Sequence, residues 1–296
     1  MSATNNPSIF GRIKHGAHSL IALAFLFLPL VMTGLFLYNT GAGSLAAWSE
    51  RSPNEQLASC KVVSRDAELF KEPVVSVTFD DGWRSVAETA APLLCEYGVA
   101  STQYVLTGDM TNATYMSPAQ VIAMHDAGHE IASHSITHMA LGEAPENDVR
   151  RELESSRNTL LRMGVADADT INFAYPYGSR SETSDRIGLE NYNSLRGTFG
   201  GAFDPGKLNV REGFDPKHIA SYTIENDVDA DTFRSILKYV KQTNGWLILA
   251  LHQVDDSGQT YAITDDQLKM LLETLRDEGI KTMTVRDALE SYRGDA

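Results

Sequence analysis

The fold of this chain is decided by residues 74–83, which read Val-Val-Ser-Val-Thr-Phe-Asp-Asp-Gly-Trp. The β-branched apolar run predicts a buried strand that ends at two adjacent carboxylates, Asp80 and Asp81. Neighbouring acids repel each other and resist burial, so a bound cation would stabilise them. The alternative is that both acids only begin a turn or cap the next helix. Active sites do form where the strands of α/β sheets and barrels end. Taken alone, however, this stretch favours the turn or cap, and only the histidines described below shift the interpretation to a functional site.

Strand-like and helix-like stretches alternate after this strand. About seven repeats of the alternation favour a (β/α) barrel over a sandwich or a helix bundle, and we place the domain at residues 73–293. Residues 180–230 have the weakest pattern, with candidate strands only. The predicted strands are residues 74–79, 100–106, 130–134, 170–175, 194–199, 219–224, 246–251 and 280–285. The predicted helices are residues 85–97, 117–128, 145–163, 231–244, 264–278 and 286–293.

The stretch before the domain predicts export. Residues 19–38 carry no charged side chain, and about 20 apolar residues are enough to cross a bilayer as a transmembrane helix. Two basic residues precede this stretch, which predicts that residues 1–18 stay in the cytoplasm and that the remainder lies outside it. The alternative is a long signal peptide cleaved near residues 41–43 or 46–47, which also exports the domain. Residues 39–72 would then form an extracytoplasmic spacer.

Composition limits the possible partners. The formal net charge of −14 argues against nucleic acid, whose phosphates require a basic surface. An acidic surface would suit a neutral or cationic polymer. The cysteines leave two possibilities open, a disulfide between Cys60 and Cys95 outside the cytosol or a packed Cys95 on the apolar side of a helix.

Histidines follow two other predicted strands. His134 and His138 are four residues apart, so on a helical turn both imidazoles would share one face. With a carboxylate from Asp80 or Asp81 they would form a metal site with open positions; the alternative is a pair of loop histidines with ordinary hydrogen bonds. His252 ends the strand at residues 246–251, where it is either a proton donor or a buried structural histidine. We interpret His125 and His129 as structural and assign no role to His218.

Four motifs together resemble a known family. Residues 78–82 read Thr-Phe-Asp-Asp-Gly, and residues 128–138 read Gly-His-Glu-Ile-Ala-Ser-His-Ser-Ile-Thr-His. Residues 175–178 read Tyr-Pro-Tyr-Gly, and residues 249–252 read Leu-Ala-Leu-His. The chain resembles the polysaccharide deacetylases with a NodB homology domain, carbohydrate esterase family 4, over roughly residues 73–292. The resemblance implies a distorted, incomplete (β/α) barrel.

The resemblance also implies roles for individual residues. Asp80 looks like the general base and His252 like the general acid. The metal ligands would be Asp81, His134 and His138, usually for Zn²⁺, with Co²⁺ or another transition metal as the alternative. The backbone N–H of Tyr177 would help to bind the oxyanion.

The chain departs from the family pattern in two places. Ala174 stands where the family often carries an arginine that orients the base, and Arg196 or Arg211 could supply one from elsewhere. The Asp-Trp pair that tethers the catalytic histidine has no match, and Gln253 follows His252 where many relatives have aspartate. Both departures concern the tuning of catalysis rather than metal binding.

The prediction is a metal-dependent hydrolase that removes N-acetyl groups from an N-acetylhexosamine polymer, peptidoglycan or an exopolysaccharide, at the cell envelope. A catalytically weak or inactive glycan-binding relative is the alternative that the missing motifs favour. A non-haem Fe(II) oxygenase uses the same ligand types and is the more remote alternative. Release of acetate, or dependence on oxygen, would separate these three.

Overall fold

The architecture is an eight-stranded parallel sheet with surrounding helices, described here by a computed structural model for residues 53–294. The strands are β1 Val74–Phe79, β2 Thr102–Val105, β3 Glu130–Ser133, β4 Phe173–Ala174, β5 Leu195–Phe199, β6 His218–Thr223, β7 Trp246–Leu251 and β8 Lys281–Thr282. The helices are α1 Pro53–Ser59, α2 Ala91–Tyr97, α3 Pro118–Ala127, α4 Glu146–Met163, α5 Glu182–Asn191, α6 Ala230–Thr243, α7 Asp265–Asp277 and α8 Val285–Gly294. A π-helical turn, Val86–Ala90, precedes α2, and 3₁₀ turns occur at Pro176–Gly178 and Pro205–Lys207.

Seven of the strands close into a barrel. β2 to β7 pair in chain order, and β1 completes the ring between β7 and β2. All six residues of β1 pair with β7, but only Thr78 and Phe79 pair with β2. β8 pairs with Val74 and Val75 at the start of β1, on the edge that β2 leaves free. The predicted (β/α) barrel is confirmed, and its distortion lies at the seam between β1 and β2.

Local sequence signals explain where most elements begin and end. All six side chains of β1 are buried, as expected for a parallel strand covered on both faces. The hydroxyl groups of Ser117 and Thr264 accept hydrogen bonds from the N–H groups of Gln120 and Gln267, so capping boxes begin α3 and α7. Gly98 ends α2 in the left-handed conformation that glycine adopts easily.

Two segments of the barrel differ from the prediction. The strand expected over residues 170–175 shrinks to the two residues of β4, because the N–H of Ile171 bonds to the carbonyl of Asp167 in a turn. Residues 182–191 form α5, where the pattern predicts no helix. Its signal is the capping box between Ser181 and Ser184.

Residues 53–72 pack on the barrel instead of forming a spacer. Leu57, Cys60 and Val62 are buried in the main hydrophobic core. Cys60 forms a disulfide with Cys95, with 5.8 Å between the Cα atoms, so the first of the two possibilities for the cysteines is confirmed. The disulfide joins the segment before the barrel to α2.

The other part of the predicted spacer, residues 39–52, lies outside the described residues, as does the predicted membrane-spanning segment at residues 19–38. Within residues 53–294, no helix combines the length and apolar character needed to span a bilayer.

Candidate active site

The polar residues predicted from the sequence meet at the C-terminal end of the barrel. Asp80 and Asp81 follow β1, His134 follows β3, and His252 follows β7. Together with His138 they line one open cleft of roughly 370 Å³. Parallel strands present their carboxyl ends at the same edge, which is why residues far apart in the chain meet there.

Asp81, His134 and His138 form a set of donor atoms that fits a metal ion. Oδ1 of Asp81 lies 3.4 Å from Nε2 of His134 and 3.2 Å from Nε2 of His138, and one donor atom from each residue lies within 4.8 Å of the others. This carboxylate oxygen is buried, and no residue among 53–294 donates a hydrogen bond to it, whereas Oδ2 accepts one from the indole N–H of Trp83 at 2.9 Å. A buried, ionised oxygen without a hydrogen-bond donor is well suited to bind a cation. Two imidazoles and one carboxylate are typical ligands of a catalytic zinc site.

The protonation states of these residues also suit metal binding. Nδ1 of His134 lies 2.8 Å from the carbonyl oxygen of Ala174, which can only accept, so Nδ1 carries the proton and Nε2 is left as the ligand atom. Burial opposes ionisation of Asp81, but contact with His134 and the charges of His252 and His138 outweigh it and lower the carboxyl pKa. Burial and the neighbouring His134 lower the pKa of His138. At neutral pH the set therefore offers a carboxylate from Asp81 and a neutral imidazole from His138.

The loop that carries both histidines is not helical, so the predicted helical turn is wrong. Ser135 and His138 have positive φ angles of 75° and 60°, and Asp81 and Tyr177 share this left-handed conformation with φ angles of 71° and 58°. Such angles are uncommon for residues other than glycine and often occur at functional sites. The two imidazoles converge through this irregular backbone, with ring centroids 5.0 Å apart.

A buried acid on α4 holds the histidine loop. One oxygen of Glu152 accepts hydrogen bonds from the backbone N–H groups of Ile136 and Thr137 at 2.9 Å, and the other accepts one from the Thr137 hydroxyl. Glu152 is fully buried. The sequence reasoning missed this residue, although its place between Val149 and Leu153 on the apolar face of an amphipathic helix is a signal that could reveal it.

Asp80 forms a buried ion pair with an arginine from a neighbouring strand. A terminal nitrogen of Arg196 donates to Oδ2 of Asp80 at 2.5 Å, and both side chains are almost fully enclosed. Arg196 on β5 is the register partner of Ala174 on β4, where the family often carries its arginine. Because the Ala174 side chain is small, the guanidinium of Arg196 on the neighbouring strand has room at this level of the barrel. Of the two candidates named from the sequence, the structure selects Arg196, whereas Arg211 is exposed.

His252 and Tyr177 also line the cleft, as predicted. Tyr177 is 72% exposed, and its ring contacts the ring of His138 edge-on, with 4.3 Å between centroids. Nδ1 of His252 is buried, and no group among residues 53–294 makes a hydrogen bond to it, consistent with the missing Asp-Trp motif. His129 lies outside the cleft, where its Nδ1 contacts the hydroxyl group of Ser101.

Comparison with known proteins agrees with this geometry. Residues 68–192 match the family model for polysaccharide deacetylase. Over this segment the chain is similar to polysaccharide deacetylases. Of its sequence relatives, chitooligosaccharide deacetylase from Sinorhizobium fredii is 31% identical over 122 residues, which are 40% of this chain and 54% of that protein. A gellan lyase from a Bacillus species is 25% identical over 236 residues, which are 70% of this chain but 9% of the lyase.

The chain therefore spans at most about half the length of these two relatives. Among solved structures, the Xyl-CE4 domain of a multidomain xylanase from the hindgut metagenome of Trinervitermes trinervoides shares the fold. Its TM-score is 0.54 at 21% identity, and the match covers 75% of this chain and 92% of that domain. The barrel thus has the same fold as that domain.

Proposed function

We propose that this protein is a polysaccharide deacetylase, a metal-dependent hydrolase that removes N-acetyl groups from an N-acetylhexosamine polymer. The observation that carries the proposal is the Asp81, His134 and His138 set beside the Asp80–Arg196 ion pair in one cleft. A glycan-binding protein without catalysis would need neither a second buried carboxylate nor a buried arginine to hold it. The chemistry requires both a metal site and a base, and the two are adjacent here.

The side chains divide the reaction between them. Asp80 accepts the proton of the attacking water, and Arg196 keeps its carboxylate in place. His252 donates a proton to the leaving nitrogen, which otherwise departs poorly as an amide anion. The backbone N–H of Tyr177 stabilises the oxyanion that develops on the acetamide carbonyl.

Asp81, His134 and His138 would hold a divalent metal, Zn²⁺ first and Co²⁺ as the alternative. When bound, such an ion supplies Lewis-acid polarisation of a carbonyl oxygen and lowers the pKa of a water ligand. Glu152 contributes indirectly, because its three hydrogen bonds set the loop that carries His138.

The open cleft and the acidic chain suit a neutral polymer such as an N-acetylated exopolysaccharide, and the glycan strands of peptidoglycan carry the same N-acetylhexosamine units. The disulfide between Cys60 and Cys95 supports a location outside the cytoplasm, since such bonds persist in oxidising compartments. We place the domain at the cell envelope, anchored by residues 19–38 if this segment is retained and secreted if it is cleaved. The proposal for residues 19–38 rests on their uncharged sequence alone.

The test is acetate release from N-acetylglucosamine oligomers and from peptidoglycan by the purified chain, stripped of metal and then resupplied with Zn²⁺ or Co²⁺. Asp80→Asn and His138→Ala are compared with His125→Ala, a half-exposed histidine outside the cleft. We expect metal-dependent release that both site variants lose and the control keeps.

Absence of release from a folded, metal-loaded chain would overturn the proposal for these substrates, and glycan binding would then become the leading function. Turnover that requires oxygen and releases no acetate would indicate an Fe(II) oxygenase instead.

A further inference from the structure

The loop after β7, residues 253–263, is held at several points. The N–H of Asn226 donates to the carbonyl of Thr260 at 2.8 Å, and its side-chain amide donates to the carbonyls of Gly258 and Gln259. At the base of the loop the N–H of Ile263 donates to the carbonyl of Gln253, and the N–H of Asp255 donates to the carbonyl of Ile263. A loop with this many backbone anchors presents its side chains in a defined position.

Tyr261 is the side chain that this loop brings to the cleft. Its ring lies against the imidazole of His252, with centroids 5.2 Å apart and planes 30° apart. The ring borders the metal-site cleft on one side and a second pocket, with Trp83 and Gln259 among its lining residues, on the other. It is 48% exposed, so it reaches solvent while contacting the imidazole.

In the part of the chain that the structure describes, no hydrogen bond to Nδ1 fixes the ring of His252. The hydroxyl groups of β6 are engaged elsewhere. Ser221 contacts Arg196 and donates to the carbonyl of Gly197, and Thr223 pairs with Thr198 at 2.6 Å. A free imidazole can rotate about two side-chain torsions, and misplacement by about 1 Å can slow a reaction about 100-fold.

We propose that Tyr261 is a positioning residue for His252, which it holds by ring stacking in place of a hydrogen bond to Nδ1. The inference rests on the role proposed above for His252 as proton donor. It predicts that the ring of Tyr261 matters and its hydroxyl group does not. Because His252 acts in the chemical step, loss of the ring lowers kcat, whereas a residue that only binds sugar would change KM.

The experiment compares Tyr261→Leu with Tyr261→Phe in the full zinc-loaded chain, using steady-state acetate release from N-acetylglucosamine oligomers. Tyr97→Leu is the matched control, since Tyr97 contacts Glu273 and Arg276 outside the cleft. We expect Tyr261→Leu to lower kcat by about 10–100-fold with KM changed less than threefold. Tyr261→Phe and Tyr97→Leu stay within threefold of the parent protein. A smaller fall in kcat, an effect confined to KM, or an equal loss in Tyr261→Phe would overturn the proposal.

A second readout does not depend on activity. In the zinc-loaded protein with isotope-labelled histidine, the Cε1–H signal of His252 is followed by NMR. Tyr261→Leu removes the ring current and the contact, so the signal shifts and broadens, whereas in Tyr261→Phe it stays close to its original position. If the parent protein released no acetate, the proposed function would fail, and the NMR comparison alone would decide whether Tyr261 holds His252. An unchanged His252 signal in Tyr261→Leu would overturn the positioning role in either case.

Discussion

Replacement of Arg196 by methionine tests the electrostatic arrangement around Asp80. Arg196 donates to Asp80, contacts the hydroxyl group of Ser221, and lies over the ring of Tyr104 with 4.7 Å from Cζ to the centroid. The side chains of the pair are 1% and 5% exposed, so water screens their interaction little. Methionine has a similar length, but it leaves the Asp80 charge buried without a partner.

The expected cost of Arg196→Met is about 3–5 kcal/mol of unfolding free energy, the usual penalty for removing one member of a buried ion pair. In the Asp80→Asn background, Arg196→Met removes the guanidinium charge that the first substitution left without a partner, so the double variant has no unpaired charge at this site. The same change then costs only about 1–2 kcal/mol, from the lost ring contact and the hydrogen bond to Ser221. The coupling energy between the two positions should therefore be about 2–3 kcal/mol.

The assay is urea denaturation of the metal-free protein followed by tryptophan fluorescence, for the parent, both single variants and the double variant. Arg211→Met is the control, because Arg211 is the exposed arginine that the sequence left as the other candidate. It should change the unfolding free energy by less than about 0.5 kcal/mol. A coupling energy below about 0.5 kcal/mol would refute the reasoning, since it would show that Arg196 does not neutralise Asp80.

Three further predictions concern stability and metal affinity. Burial lowers the pKa of His129 from 6.5 to about 4. As pH falls, this histidine is therefore protonated in the unfolded chain before it is protonated in the folded protein. Its contribution to the unfolding free energy is complete above about pH 6.5 and is lost towards pH 4. When the pH is lowered from 7 to 4.5, the His129→Asn variant should lose roughly 2–3 kcal/mol less unfolding free energy than the parent protein. Equal losses in the variant and the parent would contradict this. Replacing Cys60 and Cys95 by serine opens a 35-residue loop and should lower the unfolding free energy by about 3–4 kcal/mol in urea titrations; an unchanged midpoint would argue against the disulfide. Glu152→Gln should weaken zinc affinity about tenfold or more, measured by competition with a chelator. Glu154 is half-exposed on the same helix, and Glu154→Gln should leave the affinity unchanged. Equal zinc affinities of the two variants would show that Glu152 does not support the histidine loop.

The sequence by itself determined the barrel and the residues that meet at its rim. Alternation of apolar runs with amphipathic stretches depends on neighbours two to four residues apart, so β1, α4 and β7 can be predicted from local pattern. Asp81 and His138 could be proposed as partners because both follow strands, and the C-terminal ends of parallel strands share one edge. Elements that are short or have a weak pattern, such as β4 and α5, could not be predicted correctly from the local sequence.

Only the tertiary structure decided how the site is supported. Arg196 rather than Arg211 reaches Asp80 because register places it beside Ala174, and register follows from the pairing of β4 with β5. The conformation of the histidine loop depends on hydrogen bonds to Glu152. This residue lies on a helix outside the loop, so the sequence of the loop alone does not predict these bonds. Local pattern is set by propensity and burial along one segment, whereas an ion pair or a ring contact requires two distant segments to meet at a defined distance and angle.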